Sequence, residues 1–285
     1  MSMPYFAKLE VLLACLDLEA LDEDLYLGDP GPGKGRLFGG MVAAQSAMAA
    51  SQTVPADRPL HSLHAYFLRP GRHDAPLRFV VDRIRDGRTY TTRRVKAHQA
   101  GEAIFSLSAS FAVPEEGIAH QDEMPAARDP ATCEEWEDMR VRVTGDEGER
   151  RESPLEVRMV DPFPSTGPPA TTSAEVRQRM WIRVKGELPD DARIRTAMLV
   201  YLTDRGLLSS LVQRYRTSSG NNMAASLDHA IWIHRPPSFL DWLLYDCTSP
   251  AAYGGRGICM GSLYDRHNGA RIATVAQEGL LRLGT

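Results

Sequence analysis

Cysteine is scarce in this chain: four residues in 285, Cys15, Cys133, Cys247 and Cys259, scattered without a CxxC or any ligand-like spacing. Neither a disulfide framework nor a zinc site follows from such a pattern, and a reducing, cytoplasmic setting does. Long hydrophobic runs are also missing. No stretch approaches the roughly 20 apolar residues that a membrane span requires. The opening MSMPYFAKLEVLLACLDLEALDEDLY has a short apolar run broken by Glu10 and followed by acids. No signal peptide is expected there, and LGT at the other end is not a peroxisomal address. A net charge of -4 with no long block of one sign argues against a nucleic-acid partner. There is no Gly-x-Ser-x-Gly elbow for a nucleophilic serine.

What is present is ample apolar content, 43%, enough for real cores in two ordinary domains or one large one. Patterned blocks over about 24–113 and 155–283 flank a charged, proline-bearing segment that reads as a linker with at most short helices. The expected division is a unit over 1–113, a linker over 114–154 and a second unit over 155–285. In the first block FGGMVAAQSAMAASQTV carries small and apolar residues at helical spacing after a glycine pair. LHSLHAYFLRPG then reads as a strand, followed by a meander turned at Asp86-Gly87 and Ala100-Gly101.

The second block repeats this order. RMWIRVKG and ARIRTAMLVYLT read as strands, RGLLSSLVQRY as a helix, MAASLDHAIWIHRP as a strand, and the rest as a meander turned at Asn268-Gly269. LHAYFLRP echoes DHAIWIHRP at a period of about 165 residues. Two similar α+β units, each a long central helix wrapped by an antiparallel sheet, predict a duplicated hotdog architecture whose edge strands join.

Places where one copy breaks the shared pattern without a packing reason are candidates for function. Sliding by 165 puts Gly39 opposite Asp204 and His61 opposite Ser226, and sliding by 168 puts Ala109 opposite Gln277. Gln277 interrupts the row Ala273, Val275, Gly279, Leu281, and burying an amide without partners costs on the order of 1–3 kcal/mol. In LVYLTDRGLLSSLVQRY, Asp204 stands where a helix cap would, between a strand-like run and a helical pattern. Asp204 at that helix start, Ser226 on the next strand and Gln277 on the last form a carboxylate, hydroxyl and amide suited to hold and deprotonate a water.

FGGMVAAQ, LHAYFLRPG, RDGRTYTTRRVKAHQAGEAIFSLSASF, DHAIWIHRP and VAQEGLLR, in that order, resemble the acyl-CoA thioesterase II family, single chains with two fused hotdog units. The resemblance implies hydrolysis of acyl-CoA to a free fatty acid and coenzyme A. It also implies that Asp204, Ser226 and Gln277 bind and activate the water, Ser226 standing where threonine is frequent. No cofactor is implied beyond the coenzyme A that the substrate brings, and no metal. Phe38, Gly39, Gly40 and Met41, with His61 as a weaker candidate, are expected at the substrate, because N–H groups of a helix start favour an oxyanion.

Arg83, Arg85, Arg88, Arg93, Arg94 and Lys96 are candidates for the coenzyme phosphates, or else a solvated strand face. Asp228 and His229 suggest a dyad but alternate faces of a strand. His61, His64 and His234 read as structural or pocket-lining. Two other functions remain open at this point, a hotdog hydratase or dehydratase acting on acyl thioesters and a non-catalytic acyl-CoA binding protein. Exposed sheet faces suggest a homo-oligomer.

Overall fold

The computed structural model describes residues 8–145, 152–161, 177–215 and 223–282. Helix α1 (Leu9–Leu16) and a hairpin of β1 (Glu19–Asp22) and β2 (Leu25–Gly28) lead into α2 (Gly39–Gln52). Then come β3 (Leu60–Phe67), β4 (Leu77–Asp86), β5 (Tyr90–Gln99) and β6 (Glu102–Ala112). The connecting segment holds a short 3-10 turn, β7 (Glu134–Glu135) and α3 (Trp136–Thr144). The second half opens with β8 (Leu155–Met159), β9 (Arg177–Val184), α4 (Ala192–Thr203) and α5 (Ser209–Arg214). It closes with β10 (Met223–Ser226), β11 (Asp228–Ile233), β12 (Leu243–Tyr253), β13 (Arg256–Asp265) and β14 (Arg271–Arg282).

Among the described residues the strands form one sheet, ordered β1-β2-β4-β5-β6-β3-β11-β14-β13-β12-β9-β8-β7, with β10 also pairing with β14. The order is the same read outward in either direction from the antiparallel β3–β11 seam, where His64 faces Ala230. Joining the two halves there removes two free edges that would otherwise invite aggregation. The α+β class and the two fused hotdog units are as the repeat led us to expect. The turns at Asp86-Gly87 and Ala100-Gly101 are present, the latter with Ala100 at φ 50° and Gly101 at φ 84°.

The central helices α2 and α4 run antiparallel against the inner face. Every α2 residue from Gly40 to Ser51 is buried, which its run of Gly, Ala and Ser permits. A Cβ on Gly40 would lie 2.6 Å from the Tyr201 carbonyl oxygen, so this start of α2 touches the end of α4 through backbone. At the opposite end Arg193 Nη2 donates to Val54 O at 3.0 Å.

One expected element is corrected. Residues 192–203 are a helix, not a strand, and Asp204 closes it as the C-cap. Ala197 to Thr203 are all buried, and a helix apolar on every side carries no 3.6-residue signature to separate it from a buried strand. The cap lies earlier, at Asp191, whose side chain accepts from Arg193 and Ile194 N–H. The helix expected after Asp204 is reduced to the six residues of α5.

The halves superpose by register. Leu68 and Arg69 N–H both donate to Ile104 O, as His234 and Arg235 N–H do to Ile272 O. Carried along the ladders, this match sets Leu63 against His229, Phe79 against Tyr245, Arg93 against Cys259 and Ala109 against Gln277. The helices obey a different offset: Asp204 closes α4 as Thr53 closes α2, so Gly39 is not the counterpart of Asp204 but its neighbour across the interface.

Candidate functional site

Asp204 hangs from the last turn of α4 and points at the first turn of α2. A Cβ on Gly39 would lie 2.9 Å from Asp204 Oδ2, and Gly40 N–H donates to the carboxylate. The α2 start has no side-chain cap, since Phe38 occupies the cap position, so its N–H groups and dipole are open to an outside anion. Phe38 is itself fixed by an edge-to-face contact with Tyr201 at 5.2 Å. Met41 is buried just behind, its N–H donating to Phe38 O at 3.1 Å.

Gln277 arrives from β14. It lies in the inward row Ala273, Val275, Gln277, Gly279, Leu281, all buried, and is itself 0% exposed. Its Nε2 donates to Asp204 Oδ1 at 2.7 Å, while its Oε1 is buried with no partner among the described residues. An ionised carboxylate only accepts, so the amide nitrogen must face Asp204 and the oxygen must face away. Ser226 sits on β10 opposite Gly279, two positions from Gln277 on the same inward row, and is half-buried. Its hydroxyl makes no direct hydrogen bond to Asp204 or Gln277 among the described residues.

The Asp204 carboxyl is enclosed by protein although the residue keeps some surface. Burial pushes its pKa up from 3.8 to about 6, held back by the hydrogen bonds from Gln277 and Gly40. That places the group near the pH at which a general base works best. His61 is not brought to this cluster. Phe67, at the far end of β3, is the residue against Gly39, and six residues at about 3.3 Å each put His61 about 20 Å away. There His61 Nε2 lies 2.8 Å from Ser110 Oγ.

The basic stretch is also rearranged. Arg93 is 1% exposed and bonded inside the first half, with Nε donating to Thr53 Oγ1 at 2.8 Å and Nη2 to Asp86 Oδ1 at 2.6 Å, so it does not face solvent phosphates. Arg83 is paired with Asp24 and Arg94 with Asp82. Asp228 and His229 part company: Asp228 Oδ1 accepts Glu278 N–H at 2.6 Å, while His229 turns inward and is 0% exposed. The sequence reading passed over Thr203, Tyr245 and Cys259, which line the inner side of the cluster. Register was the available signal for Tyr245, which stands at the position of Phe79, an inward ring without its hydroxyl.

Residues 154–280 match the acyl-CoA thioesterase family, and residues 28–112 match the acyl-CoA thioesterase N-terminal domain family. The chain is 36% identical to acyl-CoA thioesterase 2 of Haemophilus influenzae, over 95% of this chain and 96% of that one. It is 35% identical to acyl-coenzyme A thioesterase 8 of Mus musculus, over 96% and 89%. Among solved structures it is similar to an acyl-CoA thioesterase II from Mycobacterium marinum, with 38% identity and a TM-score of 0.79 over 96% of this chain and 98% of that one.

Proposed function

On the premise that this chain belongs to the acyl-CoA thioesterase family and hydrolyses acyl-CoA thioesters, we propose that Asp204 is the base that activates the attacking water. The observation that carries the assignment is the Asp204–Gln277 pair: a carboxyl raised to about 6 beside a buried amide whose oxygen has no protein partner. Gln277 Oε1 accepts a hydrogen bond from one O–H of the water, and Asp204 takes the proton of the other O–H as the oxygen attacks the thioester carbonyl. Ser226 orients the water from the next position of the inward row.

The negative charge leaves Asp204 as it appears on the thioester oxygen. The first-turn N–H groups of α2, between Phe38 and Met41, serve the oxyanion, and the Gly40 N–H bond to Asp204 weakens as the carboxylate takes up the proton. Collapse of the tetrahedral intermediate expels the coenzyme A thiolate, a good leaving group, so water, base and oxyanion donors suffice without a further cofactor.

A hydratase would need an Asp–His pair on one substrate. Asp228 and His229 lie on opposite faces of their strand, which favours hydrolysis over that chemistry. Four free, buried cysteines support a reducing, cytoplasmic setting. No helix among the described residues is long and apolar enough to cross a membrane. Tyr66, Trp232 and Met260 expose apolar surface on the outer sheet face, which supports a homo-oligomer.

The test is thiol release from a panel of acyl-CoA chain lengths by wild type, Asp204→Asn and Gln277→Ala. Release by wild type that is lost in Asp204→Asn is expected. Equal release by Asp204→Asn would overturn the base assignment.

A further inference from the structure

Asp204 ends α4 with right-handed backbone, φ -76° and ψ -9°, and the chain turns away two residues later through Gly206 at φ 83°. Arg205 N–H closes the turn on Leu202 O at 3.0 Å, and the side-chain contacts to this helix end converge on the residue before Asp204. Thr203 Oγ1 donates to Val200 O at 2.9 Å and lies 3.0 Å from His229 Nε2. The Thr203 carbonyl accepts from Tyr245 Oη at 2.7 Å. Because the threonine hydroxyl gives its only proton to Val200 O, the imidazole Nε2–H is the donor to Thr203. Burial keeps the ring neutral, with its pKa lowered to about 3.

Regular pairing with β3, where His229 lies opposite buried Ala65, puts it on the inner face with Ile231, and a break in the β14 ladder lies just before it. Ser226 pairs with Gly279 but Ala230 pairs with Ala276, so the outer strand carries one extra residue, and Asp228 Oδ1 fills the gap by accepting Glu278 N–H. The β11 register sets His229 across from Gln277, and the bulge brings Ser226 onto the same inner face, opposite Gly279. The first half shows what packing alone asks for at these positions. Leu63 stands for His229 and Phe79 for Tyr245, both 0% exposed. The same sheet therefore closes over leucine and phenylalanine, and the polar atoms of the second half exist to grip Thr203.

We propose that His229 is a positioning residue for the hydrolytic reaction: through Thr203 it fixes the end of α4 and so aims Asp204 at Gln277 and at the first turn of α2. The inference deepens the assignment of Asp204 as base and rests on it. Replacing His229 by leucine restores the residue of the other half and removes the imidazole's bond to Thr203 while leaving those to Val200 and Tyr245. The Gln277 and Gly40 hydrogen bonds, which lower the Asp204 pKa, then loosen, and the carboxyl titrates at higher pH.

The experiment measures kcat, KM and the pH dependence of kcat/KM on acyl-CoA for His229→Leu, His229→Gln and Thr203→Val. Alongside runs a 13C-carboxyl NMR titration of Asp204, which reports its position whether or not it is the base. His229→Leu is expected to lower kcat by 10-fold or more, about 1.4 kcal/mol, at unchanged KM and to move both the acid limb and the Asp204 titration upward. His229→Gln, which keeps an N–H donor, is expected to restore both, and Thr203→Val to reproduce the shift should His229→Leu not fold. An Asp204 titration unmoved in His229→Leu and Thr203→Val, or glutamine as damaging as leucine, would reduce His229 to core packing. Full activity in Asp204→Asn with a shifted titration would instead remove the base assignment and leave the positioning role standing.

Discussion

The two ends of the central helix pair are the same construction carried to opposite conclusions. Where α2 ends, Thr53 meets Arg93 on β5, with Ala109 beside it on β6. Where α4 ends, Asp204 meets Gln277 on β14, with Cys259 beside it on β13. Arg93 fills its end completely, bonding to Thr53 through Nε and Nη2 and to Asp86. At the other end a carboxylate and an amide oxygen are enclosed without enough partners. The difference teaches that function sits where a buried polar group is left incompletely satisfied, and stability where it is fully bonded.

The largest expected effect comes from removing the charge at the unsatisfied end. Asp204→Asn should lower kcat for acyl-CoA hydrolysis by at least about 10³-fold, the loss expected when the general base goes. It should also raise stability. The folded pKa of about 6 exceeds the unfolded 3.8, so the folded state binds more protons between those values, and stability falls as pH rises through that window. Above pH 6 the buried charge costs on the order of a few kcal/mol. Denaturation at pH 8 should show Asp204→Asn more stable than wild type, and at pH 4 the two nearly equal. A less stable Asn variant at pH 8 would mean that the site does not strain the carboxylate.

Next in size is Gln277. Gln277→Ala reproduces the residue of the first half and should lower kcat by about 10²-fold, in the range lost with one precisely placed donor. Since the Gln277 hydrogen bond lowers the Asp204 pKa, the acid limb of kcat/KM, near pH 6 in wild type, should move upward. A limb that stayed in place would separate Gln277 from the titrating group.

The fold was legible where alternation was clean. The row containing Gln277 could be read from period two alone because every other member is apolar or glycine, and the repeat could be read because LHAYFLRP and DHAIWIHRP carry the same loop contacts. The helix ending in Asp204 could not, because α4 from Ala197 to Thr203 is buried on all sides and its cap signal at Asp191 lies eight residues before the run that drew attention, which begins at Leu199. Misplacing that helix also gave Asp204 the wrong counterpart. His229 escaped for another reason: alternation puts it on the inner face with Ile231, but its bond to Thr203 depends on where α4 ends, which the strand pattern does not show.

Gly40 tests the contact between the ends. A methyl there would meet the Tyr201 carbonyl oxygen at 2.6 Å, and backbone cannot swing aside as a side chain can. Gly40→Ala should therefore push the start of α2 from the end of α4 and weaken the N–H bond to Asp204. A fall in kcat of about 10-fold is expected, the cost of about 1.4 kcal/mol of lost transition-state stabilisation. Steady-state kinetics would check it, and unchanged kcat would mean that the oxyanion donors lie elsewhere.

The smallest effect on rate belongs to the satisfied end. Arg93→Met removes the guanidinium that bonds Thr53 and Asp86 while keeping much of the buried volume. Asp86 is 56% exposed and can be rehydrated, so the loss falls mainly on the Thr53 oxygen atoms, which stay buried without their donors. Stability should drop by about 1–3 kcal/mol, the cost of leaving such groups unpaired. The site at Asp204 lies at the other end of both helices, so kcat should stay within about threefold of wild type, as expected for distant, uncoupled positions. Chemical denaturation and steady-state kinetics on the same preparation decide the matter. A large fall in kcat with little change in stability would show that the Arg93 end still takes part in the reaction, and the contrast between the two ends would collapse.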